Sequence, residues 1–334
     1  QQPFDRRRPP RVALQRPEPG DPDHGDGVTA VPVRGEQFAD LQLDQVGQLG
    51  VARVGLVEGD DDVVDAHLTG QQDVLGGPEV LHEVEVPRPK PGISEILVRV
   101  HAASVNPTDW KHRATGRFLG DPPFILGWDL AGVVEEVGLG VTLFKPGDAV
   151  MGMLPYPHGV GAHAEYVVGP TRAFVRKPEN VDFVQAGAIP LVALTAWQAL
   201  VDTAELSEGQ RVLIHAAAGG VGHVAVQIAK ARGAYVIATA SAPKHEFVEF
   251  LGADYFIDYR TVDFAEAVGD VDVVLDTIGG DYQLRSLRTL KPDGIMVSTV
   301  PVAAEGLREE AERLGVRAEL ILVEADHAGM QAIA

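Results

Sequence analysis

The chain has 334 residues, 45% of them hydrophobic and 23% charged, and carries a formal net charge of −20. That length suits about two domains, and the acidic balance argues against nucleic acid, whose phosphates are held by basic patches. The absence of cysteine excludes disulfides, thiol nucleophiles, iron–sulfur clusters and thiolate zinc sites. No apolar stretch approaches the roughly 20 residues of a membrane span, and no basic-then-apolar leader opens the chain. The expectation is a cytoplasmic protein with neither a membrane nor a nucleic-acid partner.

Residues 1–75 stand apart in composition. Gln1 to Gly27 carries Pro9, Pro10, Pro17, Pro19 and Pro22 among charges, and Val28 to Leu75 shows no sustained helical or strand period. This segment is expected to be an irregular, foreign extension, with a small accessory domain as the alternative and part of Asp65–Leu75 recruited to pair with an open sheet edge as a further option. Residues 76–180 carry short strands punctuated by Gly and Pro: Glu95–His101, a strand region over Phe124–Val137 broken at Gly127 and Gly132, and Ala149–Met151 after the Lys145-Pro-Gly-Asp148 turn. A compact, mostly β unit is expected there.

From residue 181 to 334 the rhythm is strand–helix. Expected strands lie at Arg211–His215, Tyr235–Thr239, Tyr255–Ile257, Val271–Asp276, Gly294–Thr299 and Arg317–Val323. The helices between them are expected at Val221–Arg232, Lys244–Leu251 and Tyr282–Leu290. Such alternation implies an α/β domain with a parallel sheet covered on both faces. The chain stops at Ala334 inside a further helix, so the C-terminus is read as truncated.

The most informative segment is Val212-Leu-Ile-His-Ala-Ala-Ala-Gly-Gly-Val-Gly222. An apolar strand runs into a turn of small residues and a helix opens directly behind it. That arrangement lets the backbone approach a pyrophosphate and presents helix N-terminal N–H groups to it. Ala217, Ala218, Gly219, Gly220, Val221 and Gly222 are therefore the expected phosphate contacts. The second strand ends Ala238-Thr-Ala-Ser241 without the acid that normally holds an NAD ribose, and Lys244 follows. Ser241 and Lys244 suit a 2′-phosphate, which favours NADPH over NADH; a solvated lysine at a helix start is the common alternative for Lys244. Tyr259 after the third strand can flank the adenine or the 2′-phosphate, or lie plainly at the surface. Asp276 ends the fourth strand at the sheet edge where ligands sit; it either touches the cofactor or caps a turn.

Ala103-Ser-Val-Asn-Pro-Thr-Asp109, Leu126-Gly-Trp-Asp-Leu-Ala-Gly132, Gly161-Ala-His-Ala-Glu-Tyr166, Ala188-Ile-Pro-Leu-Val-Ala-Leu-Thr-Ala196, the glycine turn and Leu251-Gly-Ala-Asp254 follow one another in order. Together they resemble the zinc-independent quinone oxidoreductase (zeta-crystallin-like) branch of the medium-chain dehydrogenase/reductase superfamily. The resemblance covers Val80 to Val323. It implies a GroES-like β domain followed by a Rossmann doubly wound domain, with nicotinamide and a small quinone or enone substrate in the cleft between them. It places Asn106 and Thr195 beside the nicotinamide. The Asn106 amide can donate to a developing oxyanion; Thr195 is equally suited to N-capping a helix, and Asp109 to holding the Asn106 loop. Zinc-dependent relatives carry Gly-His-Glu where this chain has Gly127-Trp-Asp129, and His101, His112, His158, His163 and His215 show no ligand spacing. No metal is expected. Reducing a conjugated carbonyl spreads charge over an enolate, so positioning and modest hydrogen bonding can replace a Lewis acid. The implied activity is NADPH-dependent reduction of quinones or α,β-unsaturated carbonyls. The alternatives are an enoyl-thioester reductase and a non-enzymatic NADPH-binding protein. The oligomeric state stays open, a homodimer among the options.

Overall fold

The structure, a computed structural model, describes residues 66–157 and 161–334, and the backbone alone of residues 29–32. Most of the segment expected to be irregular, and His158, lie outside the described residues. The first half holds β1 (Thr29–Pro32), β2 (Ala66–Gln72), β3 (Leu81–Pro87), β4 (Glu95–Val105), α1 (Pro107–Thr115), β5 (Phe124–Ile125), β6 (Asp129–Val137), β7 (Ala149–Met153), β8 (Tyr166–Pro170) and β9 (Phe174–Arg176). They form two antiparallel sheets. One runs β1-β4-β6-β7-β9 with β8 also on β4; the other runs β3-β2-β5.

β2 pairs with β3 from Ala66–Pro87 to Gln72–Leu81, so regular structure begins before the expected boundary at Gly76. Its buried positions are His67, Thr69 and Gln72, which carry no apolar alternation. Backbone pairing holds this strand without the side-chain pattern that would announce it. A second difference concerns Gly132. It does not break β6 but lies inside it, because β4 crosses so closely that a Cβ there would meet the Arg99 carbonyl at 2.2 Å. The break is at Gly127 alone, where φ is +95°.

The second half contains α2 (Phe183–Gly187), α3 (Pro190–Trp197), β10 (Arg211–Ile214), α4 (Gly220–Ala231), β11 (Tyr235–Ala240), α5 (His245–Phe250), β12 (Tyr255–Asp258), α6 (Phe264–Ala267), β13 (Val271–Asp276), α7 (Asp281–Leu287), β14 (Leu290–Ser298), α8 (Leu307–Leu314), β15 (Arg317–Leu320) and α9 (His327–Ile333). One parallel sheet results, in the order β12-β11-β10-β13-β14-β15. The order reverses beside β10, and the crevice beyond the carboxyl ends of the strands at such a reversal is where these sheets bind ligands. All six residues of β13 are buried, as a strand covered on both faces requires. α4 turns Gly222, Ala225, Val226 and Ala229 inward at helical spacing. Leu290 begins β14 rather than ending the preceding helix, which closes at Leu287.

The halves share a core. Trp128, Met151 and Met153 of the β unit pack with Leu191 and Leu194 of α3 and Met330 of α9. Such a shared apolar cluster fixes the orientation of the cleft walls.

Candidate active site

Three small residues shape the floor of the cleft. Ala216 adopts φ +47°, a left-handed conformation unusual for a residue with a Cβ. The Gly219 N–H donates back to the Ala216 carbonyl at 2.8 Å, closing the turn. At Gly222 a Cβ would meet the Ala216 carbonyl at 2.1 Å and Ala217 Cα at 2.7 Å, so only glycine lets α4 start here. The N–H groups of Gly220, Val221 and Gly222 have no carbonyl one turn earlier within α4. Ala216, Gly219, Gly220, Val221 and Gly222 line the cleft. Unfilled helix N-terminal donors on a floor of small and apolar residues fit a pyrophosphate.

Ala217 and Ala218 depart from the sequence expectation. Ala217 is fully buried and its N–H donates to the Thr239 carbonyl at 2.9 Å, while Ala218 packs against the same core. They seat the turn on β11 rather than face the cleft. Asp276 is also corrected from ligand contact to turn cap. It is fully buried, accepts the Ile278 and Gly279 N–H groups at 2.9 and 3.0 Å, and takes the Ser298 hydroxyl at 2.6 Å. Thr277 beside it lines the cleft instead.

Ser241 follows β11, its carbonyl accepting the Lys244 N–H at 2.9 Å. The Tyr259 N–H reaches the Ala240 carbonyl at 3.3 Å. Ser241, Lys244 and Tyr259 thus gather at the carboxyl ends of β11 and β12, the edge that also carries the glycine turn. No acid ends β11, and no carboxylate among the described residues pairs with Lys244.

Opposite the turn, Asn106 and Thr195 line the same cleft. Asn106 caps α1, and its Nδ2 donates to Ser104 Oγ at 2.9 Å and to Asp129 Oδ1 at 3.0 Å. Ser104 Oγ and Asp129 Oδ1 are themselves hydrogen-bonded, so these two contacts engage one side of the Asn106 amide. Asp109 holds the loop as expected, accepting the Asn106 N–H at 2.6 Å and the Gly127 N–H at 2.9 Å. Asp129 bridges the domains: Oδ2 accepts the Leu191 N–H at 3.1 Å while Oδ1 takes the Ser104 hydroxyl. Burial pushes its carboxyl up to about 6, against the hydrogen bonds from Ser104, Leu191 and Asn106 that favour the anion. Thr195 does not open a helix. It lies within α3 and its hydroxyl donates to the Leu191 carbonyl at 2.7 Å, so the N-capping option is removed.

Sequence reasoning overlooked the remaining wall. Thr108, Lys111, His112, Arg117 and Tyr156 all line the cleft. Thr108 Oγ1 lies 3.1 Å from Tyr156 Oη and 3.0 Å from His112 Nδ1. The i, i+4 spacing of Thr108 and His112 on α1 was the available signal; Tyr156 had none, since it arrives from the distant β7 turn. His215 is fully buried between Thr239 and Ser286, and burial lowers its pKa to about 4, which makes it a neutral core residue. Trp128, at the position where zinc relatives carry histidine, is fully buried.

Residues 92–179 match the family described as Alcohol dehydrogenase GroES-like domain, and residues 220–312 the family described as Zinc-binding dehydrogenase. A 2-haloacrylate reductase of Burkholderia sp is 38% identical over 263 residues, covering 74% of this chain and 77% of that protein. Of the plastid and mitochondrial relatives it matches, the chain spans 54–59% of their length. Among solved structures, the quinone oxidoreductase from Coxiella burnetii superposes with a TM-score of 0.75 at 37% identity, covering 80% of this chain and 86% of that one. The Escherichia coli quinone oxidoreductase complexed with NADPH gives 0.72 at 31% identity, covering 79% and 85%. Fold and cleft define a two-domain oxidoreductase with a nucleotide-binding half. The chain belongs to the medium-chain dehydrogenase/reductase superfamily. The zinc in the second family description does not fit the donors present: there is no cysteine, and among the described residues no three His, Cys, Asp or Glu side chains cluster to hold a metal.

Proposed function

We propose that the chain reduces quinones or α,β-unsaturated carbonyls with NADPH and without zinc. One observation carries the reading: a single cleft joins the N-terminus of α4 to Asn106, Thr195 and Tyr156, and among the described residues no metal-ligand set lies at that wall. Bound NADPH supplies the hydride. The turn from Ala216 to Gly222 holds the pyrophosphate on free N–H groups, and Ser241 with Lys244 receives the 2′-phosphate, supported by the missing acid after β11. Residues 76–180, extended back to β2, act as the substrate-side domain, and residues 181–334 hold the cofactor. Asn106 and Thr195 stand beside the nicotinamide and shape the substrate space. A small conjugated carbonyl needs only orientation and a hydrogen bond to its oxygen. In support, the relatives include proteins named quinone oxidoreductase and 2-haloacrylate reductase. Among the described residues no helix is long and apolar enough to cross a membrane.

An enoyl-thioester substrate is the second reading, favoured by the tyrosine hydroxyl in the cleft. The test is cofactor oxidation with 1,4-benzoquinone, 1-penten-3-one and a crotonyl thioester, each with NADPH and NADH. Oxidation of NADPH by the first two supports the proposal; oxidation by the thioester alone favours the second reading.

A further inference from the structure

We propose that Tyr156 is the proton donor to the carbonyl oxygen of the substrate, held in donating orientation by Thr108 and His112; this rests on the reductase reading above. The carbonyl acceptor of Thr108 sets the direction of the His112 hydrogen bond. His112 Nδ1 lies 2.7 Å from the Thr108 carbonyl oxygen, which can only accept, so Nδ1 carries the ring proton. Nε2 is then the bare nitrogen, and it is buried without a partner. The same Nδ1–H also faces Thr108 Oγ1 at 3.0 Å. Thr108 Oγ1 therefore accepts from His112, and its own proton is available to Tyr156 Oη at 3.1 Å. In that arrangement the tyrosine's proton faces the cleft that Tyr156 lines.

Surroundings fix the ring and keep it protonated. Trp128 meets Tyr156 edge to face with centroids 5.2 Å apart, and Phe118 and His112 do so at 6.4 and 6.2 Å. Burial pushes the phenol pKa up, while the Thr108 hydrogen bond and the Arg117 charge pull it down. Thr108 and Arg117 thus ease proton loss during turnover without producing a resting phenolate.

The step balances as follows. Hydride adds with its electron pair to the β-carbon of an enone, the C=C pair moves toward the carbonyl, and negative charge collects on oxygen. That oxygen takes the Tyr156 proton to give the enol, which tautomerises to the saturated ketone. The phenolate accepts the Thr108 hydrogen bond until water from the open cleft returns a proton. For a quinone, the same transfer yields the hydroquinone.

The test exploits oxyanion basicity. Reducing 1-penten-3-one generates a strongly basic enolate oxygen, whereas tetrachloro-1,4-benzoquinone generates a weakly basic one that needs little help. In Tyr156→Phe, kcat with the enone should fall about 10²-fold, in the range a general acid contributes, and with the chlorinated quinone only a few-fold. The KM for NADPH should stay unchanged. Equal losses with both acceptors, or none with either, would overturn the donor role. Thr108→Val keeps the phenol but removes its hydrogen bond, so it should bias the two acceptors in the same direction by a smaller factor. It decides the matter should Tyr156→Phe fail to fold, an unaltered ratio refuting the proposal. Wild-type protein that oxidises NADPH with neither acceptor contradicts the reductase reading itself, a result separate from either variant.

Discussion

The side-chain amide of Asn106 donates to the buried carboxyl of Asp129 at 3.0 Å, although Asn106 lines the cleft. Through the second Asp129 oxygen the contact continues to the Leu191 N–H of α3, the helix that carries Thr195. Two walls of the cleft, from different domains, are thus pinned to one carboxyl group.

That group should give stability a pH signature. Its pKa of about 6 in the folded chain lies above the ordinary carboxylate value of 3.8. The folded state therefore holds a proton that the unfolded state has lost between those two values, and burial of the anion costs stability above pH 6. As pH falls through 6 the cost disappears, adding on the order of 1–1.5 kcal/mol between pH 8 and pH 5. Asp129→Asn cannot titrate there. The melting temperature of wild type minus that of Asp129→Asn should accordingly be larger at pH 5 than at pH 8. A difference that stays flat or shrinks contradicts the buried-anion cost.

Gly222→Ala tests the cradle. Its Cβ must displace the Ala216 carbonyl from 2.1 Å, lifting α4 off the turn. Overpacking of this kind costs about 1–3 kcal/mol, and NADPH affinity should fall at least about tenfold as the N–H groups lose their aim. NADPH quenching of tryptophan fluorescence measures the affinity, and thermal melts the stability. Wild-type values in both would show that the close approach is not required.

The glycine turn and the parallel sheet were legible because close backbone approach and two-sided burial each demand particular residues at fixed spacing. β13 reads as six consecutive buried positions, and the turn as small residues at a strand–helix junction. β2 was offered only by an open sheet edge with which Asp65–Leu75 could pair; it was not legible from its side chains, since its inward residues are His67, Thr69 and Gln72. Nor was the Tyr156–Thr108 contact, which joins residues 48 apart in sequence. Asp276 illustrates the opposite case: a residue type at the right strand end offers a role, and only its hydrogen-bond partners decide whether the role is taken.

Cofactor choice should depend on Lys244. NADPH should bind at least several-fold tighter than NADH, and Lys244→Ala should erase most of that preference, because a charge-assisted phosphate contact is worth about 1.5–3 kcal/mol. Titration of both cofactors against both proteins measures it. An unchanged preference in the variant would remove Lys244 from the site.

β2 should matter for stability despite its polar inward face. It pairs with β3 over seven positions and with β5 over two, and the Leu68 N–H donates to the Glu165 carboxylate at 2.9 Å. A chain beginning at Gly76 should therefore melt lower than one beginning at Asp65. Equal melting temperatures would mean that the strand contributes nothing.

The most direct measurement is steady-state loss of nicotinamide absorbance when the full chain, dialysed against a strong chelator, meets NADPH with 1-penten-3-one or 1,4-benzoquinone. A rate equal to that of undialysed protein is expected with at least one acceptor, since the cleft wall offers hydrogen bonds and positioning but, among the described residues, no metal-ligand set. Absence of oxidation with both acceptors, or a rate lost to the chelator and restored by zinc, would contradict a zinc-independent reductase.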